Sequence, residues 1–363
     1  MIKTSNFQPD WASPPGHTIE DALEELGMTQ VDFSARMGLS KKHTNELIKG
    51  KVSLTPDVAL KLETVLGSPA TFWLRRELQF RESLARLAAQ KQAEAHADWL
   101  DELPVRELIK LNWIKKCTNK GAQVLEALRF FGVASVAAWR QTCAQPGLAF
   151  RASPTFQKKL GAVMAWKRQA ELAAAKVELA PFDRSALKNL LSELRKLSLQ
   201  KEPAVLVPSL QRLCASCGVA TVLVPAPAGC PVSGAAWFST TDRAVIALSL
   251  RHKSNDHLWF SFFHEVGHLL LHGKKQQFLD GIGLDGLDPQ KEREADNFAK
   301  RILFTDEAGY QTLAANGRIS QSAVEAYAKK IGIAPGIVVG RLQYDKVLPP
   351  THLNGLKVRY KWS

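Results

Sequence analysis

At 363 residues the chain has room for two or three domains with real cores, and its 45% apolar share is ordinary for a globular protein. The net charge is +13, yet residues 1–90 balance 11 basic side chains against 11 acidic ones, so the excess lies further on; it is compatible with a nucleic-acid partner without requiring one. No run reads as long enough to span a membrane, the N-terminus lacks a signal-peptide pattern, and five scattered cysteines argue against a disulfide scaffold, so a cytoplasmic protein with no membrane partner is expected.

Residues 1–17, rich in Pro, Ser and Gly, read as a flexible arm. Short helices follow, each with a hydroxyl at its start and a glycine at its stop. Thr18 opens the first, which carries Ile19, Leu23 and Leu26 and ends at Gly27. Thr29 opens the second, closed by Gly38. Ser40 opens the third, Lys41 to Lys49, closed by Gly50. Thr55-Pro56 opens the fourth, which ends at Leu66-Gly67. The second and third, joined through Gly38-Leu39, have the spacing of a helix-turn-helix, so residues 18–74 are expected to form a DNA-binding domain. Phe33, Ser34, Leu39, Leu47 and Ile48 are its expected core. Lys41, Lys42, His43, Thr44 and Asn45 are expected on the outward face of the third helix, where they suit base edges and phosphates, with Lys49 and Lys51 flanking on phosphates. A helical bundle serving protein contacts alone is the competing reading; the acids of this region, however, gather on the first helix (Glu20, Asp21, Glu24, Glu25) and leave the third basic.

Thr29-Gln30, Gly38-Leu39-Ser40, Gly50-Lys51, Ala59-Leu60-x-Leu62 and the run Leu66-Gly67-Ser68-Pro69-Ala70-x-Phe72-Trp73-Leu74 resemble the HigA branch of Cro/C1-type (XRE) regulators over about residues 15–85. The resemblance implies a homodimer on operator DNA, often its own promoter, and an antitoxin-like role. Ser34 departs from the alanine usual at that place.

Residues 75–200 read as a helical linker and middle region. Its first part, to Trp99-Leu100, is a solvent-washed connecting helix suited to a dimer strut, and Trp113, Trp139 and Trp166 occupy apolar stripes. Cys214-x-x-Cys217 has no second pair, so two small buried residues on a short helix are expected rather than a zinc ribbon. From Val219 the texture changes: Val219–Val224, Gly234–Phe238 and Ala244–Leu248 are short β-rich runs between turn-formers. Their sheet edge can hold an extended peptide by strand addition.

Next comes the run His257–His272, apolar and free of proline, which reads as a buried helix carrying His264-Glu265-x-x-His268. Residues four apart share a helix face, so both imidazoles point at one spot, as zinc requires, and Glu265 stands beside them to act as the base. His272, eight residues beyond His264, lies about 12 Å further along the axis and cannot share the ion. The third ligand is sought on the helix beginning at Pro289. Glu292 and Asp296 are four apart, so Glu292 can bind the metal while Asp296 fixes the tautomer of a ligating histidine. Glu294 points about 200° away from Glu292, so only one of the two can reach; Glu292 is preferred. An acidic helix start favoured by the dipole is the plain alternative. Tyr310, His257 and His252 are open candidates for stabilising an oxyanion. The stretch 346–363, with Lys357, Arg359, Tyr360 and Lys361, reads as a mobile basic tail.

Phe260-Ser-Phe-Phe-His264-Glu265-x-Gly267-His268-Leu-Leu-Leu-His272 followed by Glu292-x-Glu294-Ala-Asp296-x-Phe298-Ala299 resembles the two signatures of the ImmA/IrrE zinc metallopeptidases, with coverage of about residues 200–345. Thr305 stands where that family usually shows proline. The resemblance implies a gluzincin-like site with zinc on His264, His268 and Glu292 and with Glu265 as base, in a protein that cleaves a Cro/C1-type repressor when a stress signal arrives. The expected fold is therefore mainly α with a C-terminal α+β zincin-like domain at 201–345. The expected function is a DNA-binding regulator whose regulated zinc peptidase cuts a regulatory protein, in cis or in a repressor or toxin partner. The alternative is an antitoxin or repressor acting by DNA and protein binding alone, with a sensory or inactive zinc domain.

Overall fold

The computed structural model describes residues 11–143, 154–249, 251, 253–272, 278–279 and 289–360. Most of the proposed arm (residues 1–10), the Pro146-Gly147 turn, His252 and Lys361 lie outside these. The chain divides into two compact units, Met1–Ala97 with Cys117–Leu125, and Asp98–Lys116 with Glu126–Ser363.

The first unit holds α1 (Pro15–Glu25), α2 (Gln30–Met37), α3 (Lys41–Ile48), α4 (Pro56–Leu66) and α5 (Ala70–Glu94). The hydroxyl-and-glycine punctuation produces the boundaries of the middle helices. Thr29 accepts from the Asp32 N–H, Ser40 from His43 and Thr55 from Val58, while Gly38 and Gly67 close α2 and α4 at positive φ. Thr18 is not a cap. Helix α1 already starts at Pro15, whose ring presets a first-turn φ, so Thr18 sits inside it. Ile19, Phe33, Met37, Leu47, Leu62 and Trp73 form the core. Helix α5 is no mere connector: Trp73, Glu77 and Phe80 are buried, and Arg81 reaches back to the Val52 carbonyl.

The second unit continues through α6 (Val105–Lys110), the second half of α7 (Lys120–Phe131), α8 (Val136–Cys143), α9 (Pro154–Ala174), α10 (Arg184–Lys196) and α11 (Pro203–Ala215). Against expectation, residues 120–142 have the length and apolar composition of a membrane span. They form two helices rather than one, parted after Gly132 at positive φ, and Val124, Leu128, Val136 and Trp139 are buried.

A small sheet follows: β1 (Val219–Leu223), β2 (Gly234–Thr240), β3 (Arg243–Leu248) and β4 (Phe278–Leu279), in the order β1-β3-β2-β4. β1 runs parallel to β3, and β2 is antiparallel to both β3 and β4. Both sheet faces are covered, which is why these strands read as continuous apolar runs. Ala220, Ala235, Val245 and Ala247 pack on Ala162, Val163 and Trp166 of α9, and the Trp166 indole donates to the Val224 carbonyl. Ala236, Ala244 and Ile246 face the other way, into a core with Leu258, Trp259, Phe262 and Phe263 of α12 (Asn255–Leu271). Helices α9, α10 and α11 thus belong to the folded body of the second unit, and a boundary at residue 200 would cut through its core. Cys214 and Cys217 are fully buried, and burial pushes their thiols up, to about 12 and about 11.

Four helices complete the unit: α13 (Pro289–Leu303), α14 (Glu307–Ala315), α15 (Gln321–Ile331) and α16 (Pro335–Tyr344). The expected mobile tail is tied down as far as Tyr360. Asn255 and Val358 exchange two hydrogen bonds, Tyr360 N–H donates to the Lys253 carbonyl, and Lys357 pairs with the buried Asp256 carboxylate at 2.7 Å. An apolar Tyr360 ring, 4% exposed, anchors the strap.

Candidate metal centre and DNA-facing helix

Helix α12 is buried along nearly its whole length; His264, Glu265 and His268 are 4%, 0% and 1% exposed. Such burial of two imidazoles and a carboxylate is costly unless polar partners meet them. Those partners come from α13, which can lie close because residue 267 is glycine: a Cβ there would stand 3.2 Å from Ala295 Cα and from the Phe298 ring.

The approach brings three donors together. His264 Nε2 lies 3.0 Å from His268 Nε2 and 3.2 Å from Glu292 Oε2, and His268 Nε2 lies 3.4 Å from Glu292 Oε1. Metal–ligand bonds of about 2.0–2.1 Å in a tetrahedron place donor atoms about 3.3 Å apart. The spacing therefore fits one small divalent ion among His264, His268 and Glu292, whose ligand atoms all fall within 4.8 Å of one another. The tautomer fits too. His264 Nδ1 is 2.9 Å from Asp296 Oδ1, so an N–H there leaves Nε2 with its lone pair free for a metal. Burial lowers the His268 pKa, against the pull of Glu292, and favours the neutral ring that a ligand must be. Burial alone would raise Glu292, but the facing His264 and His268 rings outweigh it and hold the carboxyl at about 2, in its charged form.

Glu294 stands elsewhere. It accepts from Gln290 at 3.0 Å and lies 3.8 Å from the His272 ring, while His272 Nε2 is 3.2 Å from the Lys291 carbonyl. Neither joins the trio. Of the residues offered for an oxyanion, Tyr310 is buried and donates to Asp345 at 2.6 Å, tied into a different cluster. His257 is exposed at the rim of a neighbouring pocket. Thr305 follows the end of α13 and faces the Arg195 guanidinium, leaving the ligand-bearing turns untouched.

Gly234 was passed over as an ordinary strand residue. A Cβ at this position would lie 2.6 Å from Glu265 Oε1, so β2 runs directly over the carboxylate. A glycine in a β-run can mark such a close approach, as it can a bulge or bend.

On and beside α3, Lys41, Lys42, Asn45, Lys49 and Lys51 are exposed and His43 is half-buried. Thr44 corrects the expected set. It is fully buried, with its hydroxyl donating to the Ser40 carbonyl, because one turn back from Leu47 and Ile48 it falls on the core face of α3.

Comparison with known proteins agrees with both halves. Residues 19–73 match the helix-turn-helix family, and residues 232–342 match the IrrE N-terminal-like domain of the M78 peptidases. An uncharacterized HTH-type transcriptional regulator of Escherichia coli (strain K12), YddM, is 38% identical over 71 residues, which cover 20% of this chain and 73% of that relative. The first match spans the α2–α3 turn and the second spans His264, His268 and Glu292, so each falls on the residues singled out by geometry. The chain belongs to the helix-turn-helix, XRE-type DNA-binding regulators and carries an IrrE-like, M78 peptidase-type domain in its C-terminal part.

Proposed function

We propose that this regulator is a zinc-dependent peptidase that cuts a regulatory protein of the Cro/C1 type, in a neighbouring copy of itself or in a repressor or toxin partner, and so releases transcription. The convergence of His264, His268 and Glu292 beneath a strand that clears Glu265 carries this reading. A zinc ion held there supplies a Lewis acid that makes water nucleophilic near neutral pH and polarises the scissile carbonyl. Glu265 takes the proton of the attacking water on a carboxylate oxygen and returns it to the departing amine nitrogen. Asp296 holds the His264 ring in its tautomer, and Gly234 keeps the Glu265 carboxylate unobstructed. The β2 edge beside Glu265 already pairs Ala235 and Ala236 with Leu279 and Phe278, which supports an activity that is regulated, since a substrate strand must bind beyond that pair or replace it.

The N-terminal unit serves operator DNA as a homodimer at its own promoter, with Lys41, Lys42, His43 and Asn45 facing the groove and Lys49 and Lys51 on phosphates. The test is metal analysis with Glu265→Gln. Both proteins should hold about one zinc per chain. Only the wild type should fragment a Cro/C1-type repressor encoded nearby. Equal behaviour of the two would leave a regulator acting through DNA and protein binding alone.

A further inference from the structure

Beside the metal centre, in the same unit, lies a pocket of about 390 Å³. Its position follows from α12. Between Leu258 and Leu270 only Phe260 and Ser261 escape burial, and they share a face with exposed His257 and with His264. Phe260 and Ser261 form one wall, and the Phe260 ring centroid is 6.4 Å from that of His264. Ser233, the residue before the glycine that clears Glu265, closes the wall on the sheet side. The floor is apolar: Leu303, Phe304 and Ile337 are at most 5% exposed.

Cations stand at the rim, but two of them are committed. Arg341 forms two hydrogen bonds to Glu307, at 2.7 and 2.8 Å, and Lys357 pairs with Asp256 at 2.7 Å. The third, Lys300, packs its ammonium over the Tyr344 ring, 5.4 Å from the centroid. The floor that the pocket offers is apolar, and its volume is in the range of small-ligand sites.

We propose that this pocket receives a large apolar side chain, aromatic or leucine-sized, from the residue flanking the scissile bond, and that Phe260 and Ser261 determine that preference. The inference rests on the peptidase reading and narrows its substrate class. A polypeptide laid against β2 with its reactive carbonyl at the His264–His268–Glu292 site has this cavity within one side chain's reach.

The test uses the zinc-loaded full chain and three peptide hydroxamates alike except for a benzyl, methyl or carboxyethyl side chain next to the chelating group, with binding read by calorimetry. The benzyl compound should bind tighter than the methyl one by about tenfold or more. Ser261→Leu, which fills the mouth, and Phe260→Ala, which removes a wall, should each erase that difference while zinc content stays at the wild-type level. Equal binding of benzyl and methyl compounds, a preference for carboxyethyl, or an unchanged preference in both variants overturns the pocket assignment and leaves the peptidase reading intact. A chain that takes up no zinc and binds none of the compounds overturns both.

Discussion

The Asp296 carboxylate stands 2.9 Å from Nδ1 of His264, on the opposite side of the ring from the nitrogen that faces His268 and Glu292. One acid on α13 thus sets which His264 nitrogen carries the proton, while its neighbour one turn earlier completes the donor set. Asp296→Ala should weaken zinc binding about 10–100-fold, the usual cost of losing such a partner. The Asp296 side chain is 36% exposed but its His264 partner is buried, so the metal-free variant should lose about 1–3 kcal/mol of stability. Competition against a chromogenic chelator measures the first and urea titration the second; wild-type zinc affinity in the variant would remove Asp296 from the site.

Gly234 and Gly267 separate two roles that the same motif combines. Gly234→Ala drives a methyl group to within 2.6 Å of Glu265 Oε1 and must displace that carboxylate. A misplacement of about 1 Å costs about a hundredfold in rate, so peptide hydrolysis should fall by that order with zinc content unchanged. Gly267→Ala instead presses on Ala295 and Phe298 at 3.2 Å and shifts α13, the helix that carries Glu292. Its expected effect is a few-fold loss of zinc affinity, seen in equilibrium dialysis. If the two variants show the same phenotype, the division of labour is wrong.

Why the site was readable in the chain and the body around it was not follows from the range of the interactions. The His264–His268 pair sits on one helix, and Glu292 and Asp296 sit one turn apart on another, so local periodicity alone puts each pair on one face. The caps of α2, α3 and α4 are equally local, and hydroxyl and glycine positions mark them. Thr44 was misplaced because a run of polar residues on a short helix hides which one lies a turn back from Leu47 and Ile48. The packing of α9 on the sheet, the passage of β2 over Glu265 and the return of the C-terminal strap to α12 all depend on residues tens to hundreds of positions apart, as in Val358 meeting Asn255, and no pattern in a short window encodes them.

The burial of Thr44 separates it from the exposed α3 residues that are proposed to read bases. Thr44→Val should leave sequence preference unchanged, since the hydroxyl is buried and donates to the Ser40 carbonyl. Asn45→Ala should relax preference at one base pair by about 1–3 kcal/mol. Lys49→Ala should weaken all sequences alike and lower the salt slope of binding by about one unit. Fluorescence anisotropy with operator variants at several salt concentrations distinguishes the three. A Thr44→Val protein with altered base preference would put that side chain back in the groove.

The strap from Lys357 to Tyr360 links the C-terminal stretch to the start of the helix that carries His264 and His268. Asp256 and Lys357 are 7% and 13% exposed at that junction. Burial pushes the Asp256 carboxyl up, but hydrogen bonds from Lys357 and Ser254, helped by nearby positive charge, prevail and leave it below its usual 3.8. A folded-state value below the unfolded one means that the contribution to stability is complete above about pH 3.8 and is lost as pH falls through the folded value. Lys357→Met strands the carboxylate, at a cost of about 3–5 kcal/mol at neutral pH. In that variant burial acts unopposed by Lys357, so the carboxyl's pKa moves upward and acid now relieves the defect. The deficit against wild type should narrow between about pH 7 and pH 5, and Asp256→Asn on the Lys357→Met background should recover part of it. Denaturation curves at the two pH values decide the matter; a deficit that stays constant, with no recovery in the double variant, would mean that Lys357 acts through its contact with Gln343 instead.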